Sequence, residues 1–148
     1  MKKLFVIAVV LLINLGVNVM AGEEPGCFVK TGDKTYYGQK VKTGAYSIKI
    51  TSDNGSVVKV PIHKVRSYSD GSRLFELLPT VNDRYDTTGY RIMEYITSNN
   101  GLKLFAFYNS ELEKPGKELY IFNDQRMYLK VSQKNAANVL AFFGIEAL

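Results

Sequence analysis

From Tyr36 onward the dominant hydrophobic period along the chain is two. Tyr46, Ile48 and Ile50 alternate with Ser47, Lys49 and Thr51, the pattern of a strand with one face buried and one in water. Asp53-Asn54-Gly55 follows, and then a return run from Val57 to Val60. Asn-Gly supplies the positive φ angles that a tight hairpin demands. Ser69-Asp70-Gly71 is placed in the same way between Val65–Tyr68 and Leu74–Leu78. Asn99-Asn100-Gly101 separates Arg91–Ile96 from Leu102–Tyr108, and Asn123-Asp124 separates Leu119–Phe122 from Met127–Val131. Two of these turns carry nearly the same hexapeptide, ITSDNG at 50–55 and ITSNNG at 96–101, but the flanking sequences diverge at once into SVVKVPIHK and LKLFAFYNS. The likeness is one of turn chemistry on ordinary strand composition, without the sustained self-similarity of a repeat.

One helix is expected, at the C-terminal end. Ser132 or Asn135 caps it, Val139, Leu140 and Phe143 lie on one face, and Gly144 ends it. Two stretches interrupt the meander as loops, Pro79 to Gly89 and Tyr108 to Lys117, the second containing Pro115-Gly116. About eight to ten sequential hairpin strands of this spacing give a mainly all-β fold. The expected form is an antiparallel meander making a small barrel or sandwich, with one short C-terminal helix.

The N-terminus departs from this pattern. Lys2 and Lys3 precede an apolar run from Leu4 through Leu15 and a small-residue site at Val19-Met20-Ala21, the order of regions in a secretory signal peptide. Asn14, Gly16 and Asn18 break the run, leaving it short of the ~20 apolar residues of a bilayer-spanning helix. Residues 1–21 are therefore expected to be cleaved, and 22–148 to form a single β-rich domain that is exported to the periplasm, cell surface or medium, with no transmembrane segment.

Loss of the two signal lysines lowers the formal charge from +5 to +3. With basic residues scattered rather than gathered on one face, nucleic acid is not an expected partner. Cys27 is the sole cysteine, so no disulfide forms within the chain, and a buried thiol or a Cys27-linked dimer are its alternatives. The charged Glu23-Glu24 beside it disfavours lipidation of Cys27.

Catalytic chemistry is thinly represented. His63 is the single histidine, and no G-x-S-x-G motif accompanies it, so a Ser-His-Asp arrangement has little support. One His and one Cys do not make a zinc site. Asp83 and Asp86 lack the D-x-D-x-D-G order of a calcium loop. Glu76 in LFELLP and Glu94 in IMEYI each interrupt an apolar run and form the remaining candidate pair, since two carboxylates at the right separation suffice for glycoside hydrolysis. The simpler reading has both pointing to water, opposite core-facing Phe75/Leu77 and Met93/Tyr95. No cofactor or metal is expected.

Aromatic content is the strongest bulk feature, with ten Tyr and no Trp. The strand LKLFAFY is apolar on both pleats, with Leu104, Ala106 and Tyr108 on one side and Phe105 and Phe107 on the other. Either the C-terminal helix covers one side, or that side lines a cavity or partner surface. Tyr95, Phe105, Phe107 and Tyr120 are the candidate ligand-lining residues.

The segments TYYGQKVKTG, VRSYSDGSRLFELLP and NVLAFFG together resemble uncharacterised small exported β-rich proteins of Gram-negative bacteria. The resemblance implies export and a β-rich body and transfers no catalytic residue. The leading expectation is a non-enzymatic binding or scaffolding protein whose partner is an unidentified protein or small ligand. The alternative is a carrier holding an apolar or aromatic ligand in a barrel interior, and the third is a hydrolase using Glu76 and Glu94.

Overall fold

In the computed structural model, residues 26–109 and 116–146 are described. The expected signal peptide and most of the loop after Tyr108 lie outside the described residues. Among the described residues eleven strands are present: β1 Cys27–Thr31, β2 Thr35–Gly38, β3 Lys40–Thr43, β4 Ser47–Thr51, β5 Val57–Pro61, β6 Val65–Ser69, β7 Leu74–Val81, β8 Thr87–Asn99, β9 Leu102–Asn109, β10 Gly116–Asn123 and β11 Arg126–Lys130. A 3-10 turn spans Ile62–Lys64, and among the described residues one α-helix, α1, spans Ala136–Phe143. Among the described residues no helix is long and apolar enough to cross a membrane.

The strands form two antiparallel sheets. The larger has the order β11-β10-β9-β8-β7-β6-β1-β2, and the smaller β3-β4-β5. Of the two expected forms, the arrangement is sandwich-like. No barrel closes, because β2 and β11 end the large sheet and do not pair with each other.

The run TYYGQKVKT is divided between the sheets at Gln39, whose N–H donates to Thr51 O at 2.8 Å. Gly38 permits that corner: a Cβ there would lie well inside contact distance of the Thr51 carbonyl, so only glycine lets the backbones approach so closely.

Cross-strand register divides the large sheet into two faces. Val29↔Tyr68, Tyr68↔Phe75, Phe75↔Glu94 and Glu94↔Ala106 share one face. One end of it packs Val29, Val65 and Tyr68 against Ile48, Ile50 and Val60 of the small sheet. At the other end, Leu104 and Ile121 pack against Val139 and Phe143 of α1. The helix thus covers the Leu104 side of LKLFAFY, as one of the two expectations had it. Asn99 Nδ2 donates to Phe142 O at 2.7 Å and ties α1 to the sheet. Gly144, at φ 69°, ends the helix in the left-handed conformation.

The opposite face buries Leu78, Met93, Phe105, Tyr120 and Phe122 on one another. No second layer is needed there because the sheet rolls up: β11 touches β7 although three strands separate them in the order. Register shifts at Thr80/Val81, Tyr95/Thr97 and Ile121/Phe122 supply the curl, since each bulge bends its strand and increases the local twist.

Three local expectations are corrected. Tyr46 precedes β4 instead of continuing its core face and is 87% exposed, whereas Ile48 and Ile50 are buried. Asn54-Gly55 does not make a two-residue turn with two positive φ angles. Gly55 alone has one, in a loop closed by Ser52 N–H to Ser56 O; Asn100-Gly101 has both. The Pro79–Gly89 stretch is mostly strand, because β7 runs to Val81 and β8 begins at Thr87. That shortens the loop to 82–86.

Candidate ligand-binding site

β8 has different neighbours along its length. From Glu94↔Ala106 to Asn99↔Leu102 it pairs with β9, whereas from Thr87 to Met93 its partner among the described residues is β7 alone. β9 beyond Ala106 continues along β10 as far as Asn109↔Gly116. Two strands that are neighbours at one end therefore part at the other. Arg91 bridges the divergence, its guanidinium carbon 4.6 Å from the centre of the Phe107 ring, within the range of a cation–π contact.

Arg91 borders two openings. The first is a cleft of about 520 Å³ between the 82–86 loop and β11, with Tyr85, Met93, Tyr120, Tyr128 and Lys130 among its walls. Glu118 organises the polar groups beside it: Lys130 Nζ donates to Oε1 at 2.7 Å and Tyr120 OH to Oε2 at 3.0 Å. The Lys130 hydrogen bond holds the Glu118 carboxyl below its ordinary range against the opposing effect of partial burial, with help from Tyr120 and the charges of Lys130 and Arg91. Lys130 is raised by the same hydrogen bond. Burial, followed by the bond to Glu118, raises the Tyr120 phenol.

Tyr85 stands at the rim with φ 65°, a left-handed conformation that is unfavourable for a bulky side chain. Asn82 holds the loop in that shape. Its Oδ1 accepts from Arg84 N–H at 2.9 Å and Asp86 N–H at 3.0 Å, and Tyr85 N–H donates to Asn82 O at 2.9 Å.

The second opening is a groove of about 570 Å³ with Ile62, Leu77, Ile92 and Phe107 as apolar walls and Arg66 and Arg91 among its polar residues. Both arginines are exposed, and neither makes an ion pair within 4.0 Å among the described residues. An adjoining depression shares Arg66, Leu77 and Tyr90 and includes Glu76, whose carboxylate faces Lys103 at 3.8 Å.

The four aromatic candidates from the sequence do come together: Phe105 and Tyr120 are in one buried cluster, and Tyr95 and Phe107 pack against it. They fill their space rather than lining a lumen. Phe105 meets Tyr95 edge-on at 5.7 Å and Phe122 at 5.5 Å between ring centres. Tyr120 borders the cleft and Phe107 the groove. The barrel interior imagined for a carrier is absent because the sheet does not close.

Glu76 and Glu94 are not brought together. Glu76 pairs with Met93 and Glu94 with Phe75, which sends the two carboxylates to opposite faces of the sheet. Nor does Glu94 simply point to water, since its Oε2 is buried without a hydrogen-bond partner among the described residues. His63 lies on the 3-10 turn and borders the groove. Cys27 is free, and its Sγ donates to Gln39 O at 3.3 Å. Among the described residues no group of three or more His, Cys, Asp or Glu could hold a metal ion.

Sequence reasoning missed Arg91, Arg66, Tyr85 and Tyr128. Arg91 did leave a signal, as a charge on the same pleat as Met93 and Tyr95. No protein-family model matches the chain, and no curated protein or solved structure matches it either.

Proposed function

We propose that this chain is an exported, non-enzymatic binding module that holds a small ligand where β8 and β9 part. The observation that carries the reading is the Arg91–Phe107 contact across that divergence, with an open concavity on either side. Both concavities fall in the size range of small-molecule sites, roughly 300–1,000 Å³. The groove combines apolar walls with a few polar groups, the usual composition of such sites, whereas the cleft is lined by more polar than apolar surface. Export rests on the order of charged, apolar and small residues in 1–21, and the ligand is accordingly one met in the periplasm, at the cell surface or in the medium.

Two measurements test this. Sequencing the N-terminus of protein recovered from its host's exported fraction should begin at Gly22; an intact Met1 in that fraction would refute cleavage, and confinement of the protein to the cytoplasm would refute export. Native mass spectrometry of the same material should reveal an adduct that is lost on denaturation and is diminished in Arg91→Ala. A bare monomer for both proteins, together with no change in the amide spectrum of the mature chain on adding its host's exported small-molecule extract, would refute the binding reading.

A further inference from the structure

The groove at Arg66 and Arg91 has a composition that selects among ligand classes. Ile62, Leu77, Ile92 and Phe107 give it apolar walls, its charged lining residues are Arg66 and Arg91, and no carboxylate is among its lining residues. Phe107 supports the Arg91 guanidinium through its ring face, which leaves the planar edge of the group available to an anion. Arginine suits this position because its fork can give two parallel hydrogen bonds to a carboxylate or related oxyanion. Walls so apolar call for more than an inorganic anion, since that ligand would leave the hydrophobic surface wet.

Resting on the proposed binding function, we infer that the groove takes a free single-chain anionic amphiphile, of the fatty-acid class. Its headgroup is met by Arg91 and Arg66, and its tail lies on Leu77, Ile92 and Phe107. Charge complementarity points to the anionic head, and the concave form of the groove, at about 570 Å³, points to one bound molecule. An anionic membrane surface fits less well, because polybasic lipid-binding segments gather about four to eight Lys/Arg, whereas two arginines line this groove.

The test uses the mature chain and four probes: sodium decanoate below its micelle concentration, decyltrimethylammonium, decanol, and phosphatidylglycerol vesicles. Decanoate should shift the methyl resonances of Ile62, Leu77 and Ile92 saturably. Decyltrimethylammonium and decanol should bind at least about tenfold more weakly, the loss expected when a charge-assisted hydrogen bond is removed. Arg91→Gln and Arg66→Gln should each weaken decanoate binding by about tenfold on the same basis. Both side chains are exposed, so both variants should remain folded; Arg66→Gln should keep the parent's thermal transition, and Arg91→Gln should lower it by no more than the few degrees that loss of the Phe107 contact accounts for.

Equal binding of the anionic and cationic amphiphiles would overturn the inference, as would binding to vesicles without binding to monomeric decanoate, or groove methyls that do not respond. If decanoate fails while the Arg91-dependent adduct persists in native mass spectra, the ligand class is wrong and the binding function stands. If both fail, the proposed function falls with it.

Discussion

Arg91 and Phe107 are in contact across two strands that have ceased to pair: the guanidinium carbon lies 4.6 Å from the ring centre, beyond the last β8–β9 partners, Glu94↔Ala106. The contact takes the place of a ladder and should carry a measurable coupling energy. In a double-mutant cycle of Arg91→Ala and Phe107→Ala followed by urea denaturation, the expected coupling is about 0.5–1 kcal/mol, the range for an exposed cation–π pair. Strict additivity of the two single changes would show that Arg91 is held by something other than the ring.

Tyr85 should be better for the cleft than for the fold. At φ 65° an L-residue is strained by about 1–2 kcal/mol, and glycine relieves that strain. Its side chain is 66% exposed, so little packing is lost with it. Tyr85→Gly is expected to unfold at equal or higher urea concentration than the parent, offset in part by the greater freedom of glycine in the unfolded chain. The same variant should bind any cleft ligand more weakly.

Gly38 marks the corner between the sheets, and Gly38→Ala should lower stability by about 1–3 kcal/mol, the usual range for an overpacked site. The added methyl meets the Thr51 carbonyl, which is backbone and already accepts the Gln39 N–H. Gly32→Ala provides the control, because nothing lies within 4 Å of a Cβ there. Urea midpoints of the two variants should separate clearly.

The β6–β7 turn should give the fold both an acid and an alkaline limit. Partial burial pushes the Asp70 carboxyl up, but hydrogen bonds from the Arg73 and Ser72 N–H groups and side chains outweigh it and bring it to about 2 from 3.8. A depressed carboxyl stabilises the fold above its unfolded value and loses that contribution as pH falls from about 4 toward 2. Allowing for solvent screening, about 1 kcal/mol is at stake, and Asp70→Asn should flatten this limb in urea midpoints measured against pH.

Tyr68, beside that turn, titrates at the other end of the scale. Burial pushes its phenol from 10.0 to about 12, with Arg73 opposing and Asp70 and Glu94 adding to the rise. Its contribution is therefore complete below pH 10 and is lost between 10 and about 12. In a titration of phenolate absorbance Tyr68 should contribute a late component approaching pH 12, and Tyr68→Phe should remove it.

Much of this architecture is written in local sequence. Ile48 and Ile50 are buried around an exposed Lys49 because side chains alternate across a strand. Gly55, Gly71 and Gly101 hold the positive φ angles their turns require, and Gly144 stops α1 where the apolar stripe of Val139 and Phe143 ends. What local pattern could not specify is which strands become neighbours and for how long. TYYGQKVKT holds no proline and no Asn-Gly turn, yet Gln39 bonds to Thr51 and divides it between sheets. Arg91 is one of two charges on β8 until β8 and β9 part around it, and Glu76 and Glu94 are equivalent candidates until register sends them to opposite faces. A period of two fixes the face a residue occupies on its own strand. Pairing, curl and divergence arise from contacts between residues far apart in the chain, and only the folded sheet decides them.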